Sequence, residues 1–110
     1  MSVWHRAYLY LGWHLNYKEE YELVKYLRKR SYELYDNQEE VKLDCVDDCM
    51  CARYFVIGKK IQMVASEDEN KFFNVELPKE KDYSEVVEIL KEKYEVDLGR
   101  PELFMFSHGD

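Results

Sequence analysis

From Val3 to Leu15 the side chains alternate. Val3, Ala7, Leu9, Leu11, Trp13 and Leu15 fall on one side of an extended chain, and Trp4, Arg6, Tyr8, Tyr10 and His14 on the other. A strand with one face this apolar must be covered by a second layer, so the fold has to be a sheet with something packed on it. The other face is not simply wetted, because Tyr8 and Tyr10 place two rings and two hydroxyls there.

The period then lengthens. Asn16 is placed to cap a helix, with Glu19 three residues on to reach back to it. Tyr17, Tyr21, Val24, Leu27, Ser31, Leu34 and Tyr35 recur as one apolar stripe before Asp36 and Asn37 supply turn residues. Residues 41–77 return to β patterning in four short runs, 41–45, 53–57, 60–65 and 71–77. Gly58-Lys59 reads as a hairpin turn, residues 66–70 as an acidic turn, and Pro78 as the exit from the sheet. Asp82 and Glu85 repeat the capping spacing ahead of a second stripe of Tyr83, Val86, Val87, Leu90 and Tyr94. After Gly99-Arg100-Pro101 turns the chain, residues 103–106 return as a last strand.

The expected order is therefore β-α-β-β-β-β-α-β. It describes one α+β domain over residues 1–110, a two-layer sandwich with a mainly antiparallel sheet of five to six strands and two helices on one face. A chain of 110 residues is the right size for one core. Tyr8, Tyr10 and Tyr54, with rings from Phe72 or Phe73 and Phe104 or Phe106, would leave the uncovered face partly aromatic. Such a face is usually covered by a partner or a second copy, so monomer and homodimer are both expected states.

No apolar run approaches the roughly 18 residues of a membrane span, and the N-terminus lacks the basic-then-apolar order of a secretion signal. Three cysteines within seven residues do not make a disulfide framework. A cytoplasmic protein with no membrane contact is the expectation.

Cys45, Cys49 and Cys51 lie among Asp44, Asp47 and Asp48, a set that could hold zinc with His5, His14 or His108 completing it. The C-x3-C-x-C spacing has no distant second pair, and the neighbouring carboxylates oppose a reactive thiolate, so small half-buried side chains explain these cysteines more simply. A metal- or redox-dependent protein is the alternative they support. A small enzyme built on His14 and scattered carboxylates is a further one, although no motif for nucleophilic, metal-dependent or nucleotide chemistry is present.

The formal charge of -7 is unevenly distributed, with a balance of +2 over residues 1–35 and -9 over the remainder. Asp44, Asp47 and Asp48, with Glu67, Asp68 and Glu69, fall in expected turns or strand ends, where they could form one negative surface facing a basic, nucleic-acid-binding partner. Lys25, Arg28, Lys29 and Arg30, with Tyr26 and Tyr32 between and after them, offer the opposite surface, too few cations on an acidic chain to favour direct nucleic-acid binding. Ten tyrosines in 110 residues exceed what one core needs and point to recognition by rings, with Tyr8, Tyr10, Tyr32 and Tyr54 as candidates. The reading is a non-enzymatic protein-interaction module, an acidic inhibitor or adaptor of the kind found among small accessory proteins of bacteria and phages, with no cofactor.

Overall fold

The alternating N-terminal segment forms one strand, β1 (His5–Asn16), and everything else is arranged around it. The computed structural model describes residues 5–38, 43–48, 51–65 and 72–109. The expected strand positions Val3, Trp4, Val41 and Lys71, and the side chain of His5, lie outside what is described. After β1 come α1 (Tyr21–Asp36), β2 (Asp44–Asp47), β3 (Tyr54–Ala65), α2 (Glu80–Ile89), which runs into a π-helical turn at Leu90–Tyr94, and β4 (Glu102–Gly109). The strands form one antiparallel sheet in the order β2-β3-β1-β4. The α+β class and the two layers stand as expected, with four strands among the described residues instead of five to six.

Two expected elements account for the difference. Residues 53–57 and 60–65 are not the arms of a hairpin: β3 runs straight through Gly58, which pairs with Gly12 of β1. A Cβ on either glycine would collide with the backbone of the opposite strand, so the pair permits a close crossing, not a turn. Three residues on, the register slips between Leu9, which faces Gln62, and Tyr10, which faces Lys60. Ile61 is the extra residue of this bulge, and it packs on the helix-side core.

The other missing element is residues 72–77. They have strand-like composition but pair with no strand of the sheet, whose order among the described residues is β2-β3-β1-β4. Phe72 and Leu77 stand in solvent as a result.

Both helices pack on one face of the sheet. Val24, Leu27 and Leu34 of α1 and Val86, Leu90 and Tyr94 of the second helical segment close over Leu11, Trp13 and Leu15 of β1 and Phe55 and Ile57 of β3. The Asn16 carboxamide accepts from the N–H groups of Lys18 (3.0 Å) and Glu19 (3.1 Å), as the capping spacing suggests. Glu20, not Glu19, reaches back to the Asn16 N–H, and the helix begins only at Tyr21. At α2 the frame is likewise displaced: Asp82 is not the cap but the residue reaching back, accepting from the Lys79 N–H at 2.7 Å. That hydrogen bond holds its carboxyl below the usual carboxylate range.

Candidate interaction surface

The sheet face away from the helices carries the even-numbered residues of β1 and β4. Tyr8 stacks on Phe106 with centroids 5.2 Å apart, Tyr10 meets Phe106 at 5.5 Å and Phe104 at 6.4 Å, and Tyr54 approaches Phe106 edge-on at 5.9 Å. The Tyr54 hydroxyl and Nδ1 of His108 share a hydrogen bond of 2.6 Å. Tyr8 and Tyr10 are buried in this layer and Tyr54 is half-buried. Their rings face each other before they face any partner.

The acidic candidates are dispersed. Asp44 is exposed on β2, with its side chain on the aromatic side of the sheet. Asp47 points the opposite way, where its carboxylate meets Nε of Arg28 at 2.6 Å. Asp48 is buried in the turn before β3 and holds Nε of Arg53 at 2.8 Å, while its backbone C=O accepts from the Ala52 N–H. Two of the three described carboxylates thus serve internal pairs. Glu67, Asp68 and Glu69 lie outside the described residues.

Cys49 is also outside the described residues, Cys51 is exposed, and Cys45 is half-buried under α1. The Cys45 sulfur lies 3.4 Å from the Ser31 hydroxyl, which is 3.0 Å from the Tyr94 hydroxyl. Burial pushes the Cys45 thiol up, with Asp44 and Asp47 adding to the effect, and burial raises Tyr94 to about 12. The trio borders a cavity of about 280 Å³ with Leu34, Tyr35, Leu43 and Asp44. Protonated hydroxyls and thiol make it a polar seam between layers. Among the described residues no group of three His, Cys, Asp or Glu side chains is placed to hold a metal ion.

His14 rests edge-on against Phe104 and is 3.8 Å from the Glu102 carboxylate; both side chains are largely exposed, so water screens the pair. Among the described residues no helix is long and apolar enough to cross a membrane.

The outer side of α1 is different. Tyr26 donates from its hydroxyl to the Tyr94 C=O at 2.8 Å, and Arg30 donates from Nε to the Lys93 C=O at 2.9 Å, so this flank of the helix is clamped to the π-helical turn. The opposite flank carries Tyr21, Lys25, Arg28, Tyr32 and Tyr35, spaced i, i+4, i+7, i+11 and i+14, all within one narrow stripe. Tyr21 is 52% exposed, Tyr32 63% and Tyr35 81%. The Lys25 ammonium sits 5.2 Å from the centre of the Tyr21 ring, a cation–π approach. Lys29 stands exposed beside the stripe. The sequence pattern placed Tyr21 and Tyr35 on the buried stripe. Their spacing to Val24 and Leu34 fits either side of that boundary, and the width of the sheet beneath decides it.

No protein-family model matches the chain, and no curated protein or solved structure matches it.

Proposed function

We propose that the chain is a non-enzymatic protein-interaction module, an inhibitor or adaptor that binds another protein through the exposed flank of α1. The observation that carries this reading is the stripe of Tyr21, Tyr32 and Tyr35, each more than half exposed, with Lys25 between them. Single exposed rings are ordinary, whereas several on one rigid helix face offer large contact area with little rotamer entropy to lose on binding. The acidic surface supports partner binding less directly, because Asp47 and Asp48 already answer Arg28 and Arg53.

A photo-crosslinking side chain placed at Tyr32, at Tyr35 and, as a control, at Glu88 on the exposed side of α2 tests the reading in cells that make the protein. The expected result is one discrete protein adduct from positions 32 and 35, lost when Tyr21 is changed to Ala, and none from position 88. Equal adducts from all three positions, or none from the stripe, would overturn it.

A further inference from the structure

The sheet has two edges, and they are built differently. β2 is four residues long and bounded by Asp44 and Asp47, with α1 lying over it through the Arg28–Asp47 and Ser31–Cys45 contacts. Shortness, charge and cover are the usual ways in which a sheet edge is kept from pairing with another chain. β4 is neither short nor covered by a helix, and its one carboxylate is confined to its first residue, Glu102. The strand is eight residues long, its sequence Glu102-Leu103-Phe104-Met105-Phe106-Ser107-His108-Gly109 contains no Lys, Arg or Pro, and among the described residues it pairs only with β1. The helices stop short of it: Met105 is on the helix side of the sheet yet 73% exposed.

The sequence of β4 is also complementary to itself. A two-fold axis normal to the sheet keeps the helices of both copies on one side, and it pairs residues whose numbers have an even sum. Centred on Met105, it sets Phe104 against Phe106 of the second copy, Leu103 against Ser107, and Glu102 against His108. On the aromatic side this gives two cross-strand ring pairs flanked by two pairs of opposite or hydrogen-bonding character, the combinations that stabilise antiparallel strands. Centring on Phe104 would press Glu102 against Phe106, and centring on Phe106 would leave Glu102 without an opposite residue in the strand. Only the Met105 register matches polar ends to polar ends and rings to rings.

We infer that two copies of this chain associate through β4, antiparallel about an axis through Met105, joining two four-stranded sheets into one of eight. The aromatic layer of Tyr8, Tyr10, Phe104 and Phe106 becomes continuous across the junction. The two Met105 side chains meet on the axis, in the gap the helices leave between them. The α1 stripes lie over the far edges of the combined sheet, so the inference does not rest on the reading of α1, and a dimer would present that surface twice.

The register makes the test specific. Directly opposed residues of an antiparallel pair have Cα atoms roughly 4.5–5.5 Å apart, within the span of a disulfide. In a background with Cys45, Cys49 and Cys51 changed to Ser, Met105→Cys is expected to form an intermolecular disulfide on mild oxidation. Leu103→Cys and Ser107→Cys should stay unlinked alone and link when mixed. Should that background fail to fold, sedimentation of the native chain over a concentration series is expected to show a monomer–dimer equilibrium whose dissociation constant rises about tenfold or more in Met105→Lys, as a charge on an edge strand blocks pairing. A native chain that stays monomeric at every concentration overturns the inference. So does a dimer indifferent to Met105→Lys, or a folded Met105→Cys chain that does not link.

Discussion

On the helix side of the sheet, Leu11, Trp13, Leu15, Phe55 and Ile57 are buried by side chains that arrive from a second layer. On the other side, Tyr8, Tyr10, Tyr54, Phe104 and Phe106 bury one another with no second layer above them among the described residues. Both arrangements work: Ile57 and Tyr10 are each 1% exposed or less. They work by different physics. The helix side removes apolar area from water by interdigitation, which scales with buried surface. The aromatic side lays rings against one another in stacked, tilted and edge-on pairs, so each ring shields its neighbours and the outermost remain half-wet. An interdigitated core is closed on all sides, whereas a ring layer has a rim, and here the rim runs along β4.

That contrast predicts unequal costs of truncation. Phe55, 1% exposed in the helix-side core, is expected to cost about 3–5 kcal/mol when changed to Ala. Phe106 touches Tyr8, Tyr10, Tyr54 and Phe104, yet Phe106→Ala is expected to cost only about 2 kcal/mol, the sum of a few ring pairs on a half-exposed site. Urea denaturation of the two variants measures both. Equal losses would mean that the aromatic face is a second core in its own right.

The crossing of β1 and β3 belongs to both faces, and a perturbation there should be felt by both. Gly12→Ala or Gly58→Ala inserts a Cβ against opposing backbone that cannot rotate away, for an expected loss of about 1–3 kcal/mol. Near-ultraviolet circular dichroism should change with it, since Tyr10 and Trp13 flank Gly12 on opposite faces. An unchanged spectrum with full stability would show that the strands can separate there without cost.

These same glycines show where the sequence is readable. Alternation in β1 and the three-to-four spacing of Val24, Leu27, Val86, Leu90 and Tyr94 report burial directly, and the structure follows them. Gly58-Lys59 looks like a turn because a glycine needed for a positive φ and one needed for close approach are the same letter, and the residue that distinguishes them, Gly12, is far away in sequence. Residues 72–77 carry strand composition, but whether a strand forms depends on the chain reaching a sheet edge in register, which composition does not encode. The surface was legible in part. The cations of α1 and Tyr32 stood out; Tyr21 and Tyr35 did not, because a helix stripe gives the direction of burial and not its width. The acidic run was visible while its partners, Arg28 and Arg53, could not be assigned to particular carboxylates without the fold.

Each face also buries a tyrosine hydroxyl, and alkali compares them. Burial raises Tyr94, on the helix side, from 10 to about 12, and raises Tyr10, on the aromatic side, further. Above the ordinary tyrosine value the unfolded chain loses protons that the folded one keeps, so folding is progressively disfavoured as pH climbs. The stability tied to Tyr94 is complete below about pH 10 and lost towards about pH 12; that tied to Tyr10 goes on falling beyond it. Denaturation midpoints across this window should decline less steeply in Tyr94→Phe than in the native chain. Tyrosinate absorbance should rise at the same pH as the loss of structure for both residues; early ionisation of Tyr10 alone would show that the ring layer admits water.

The smallest expected effects come from the polar tie on each face. Arg28 and Asp47 join the helix layer to β2 at 2.6 Å, and Tyr54 and His108 join β3 to β4 across the aromatic layer, also at 2.6 Å. Arg28 is about one-third exposed, so Asp47→Asn is expected to cost only about 0.5–1 kcal/mol. Tyr54→Phe removes a hydrogen bond worth a similar amount, about 0.5–1.5 kcal/mol. Salt separates the two. Screening weakens the ion pair, so the Asp47→Asn loss should shrink at high ionic strength. The Tyr54–His108 bond is a direct, short-range contact, so the Tyr54→Phe loss should persist at high salt. If the Tyr54→Phe loss instead fades with salt as the Asp47→Asn loss does, the tie across the aromatic layer is electrostatic, and the polar ends of β4 would direct the register as strongly as the rings do.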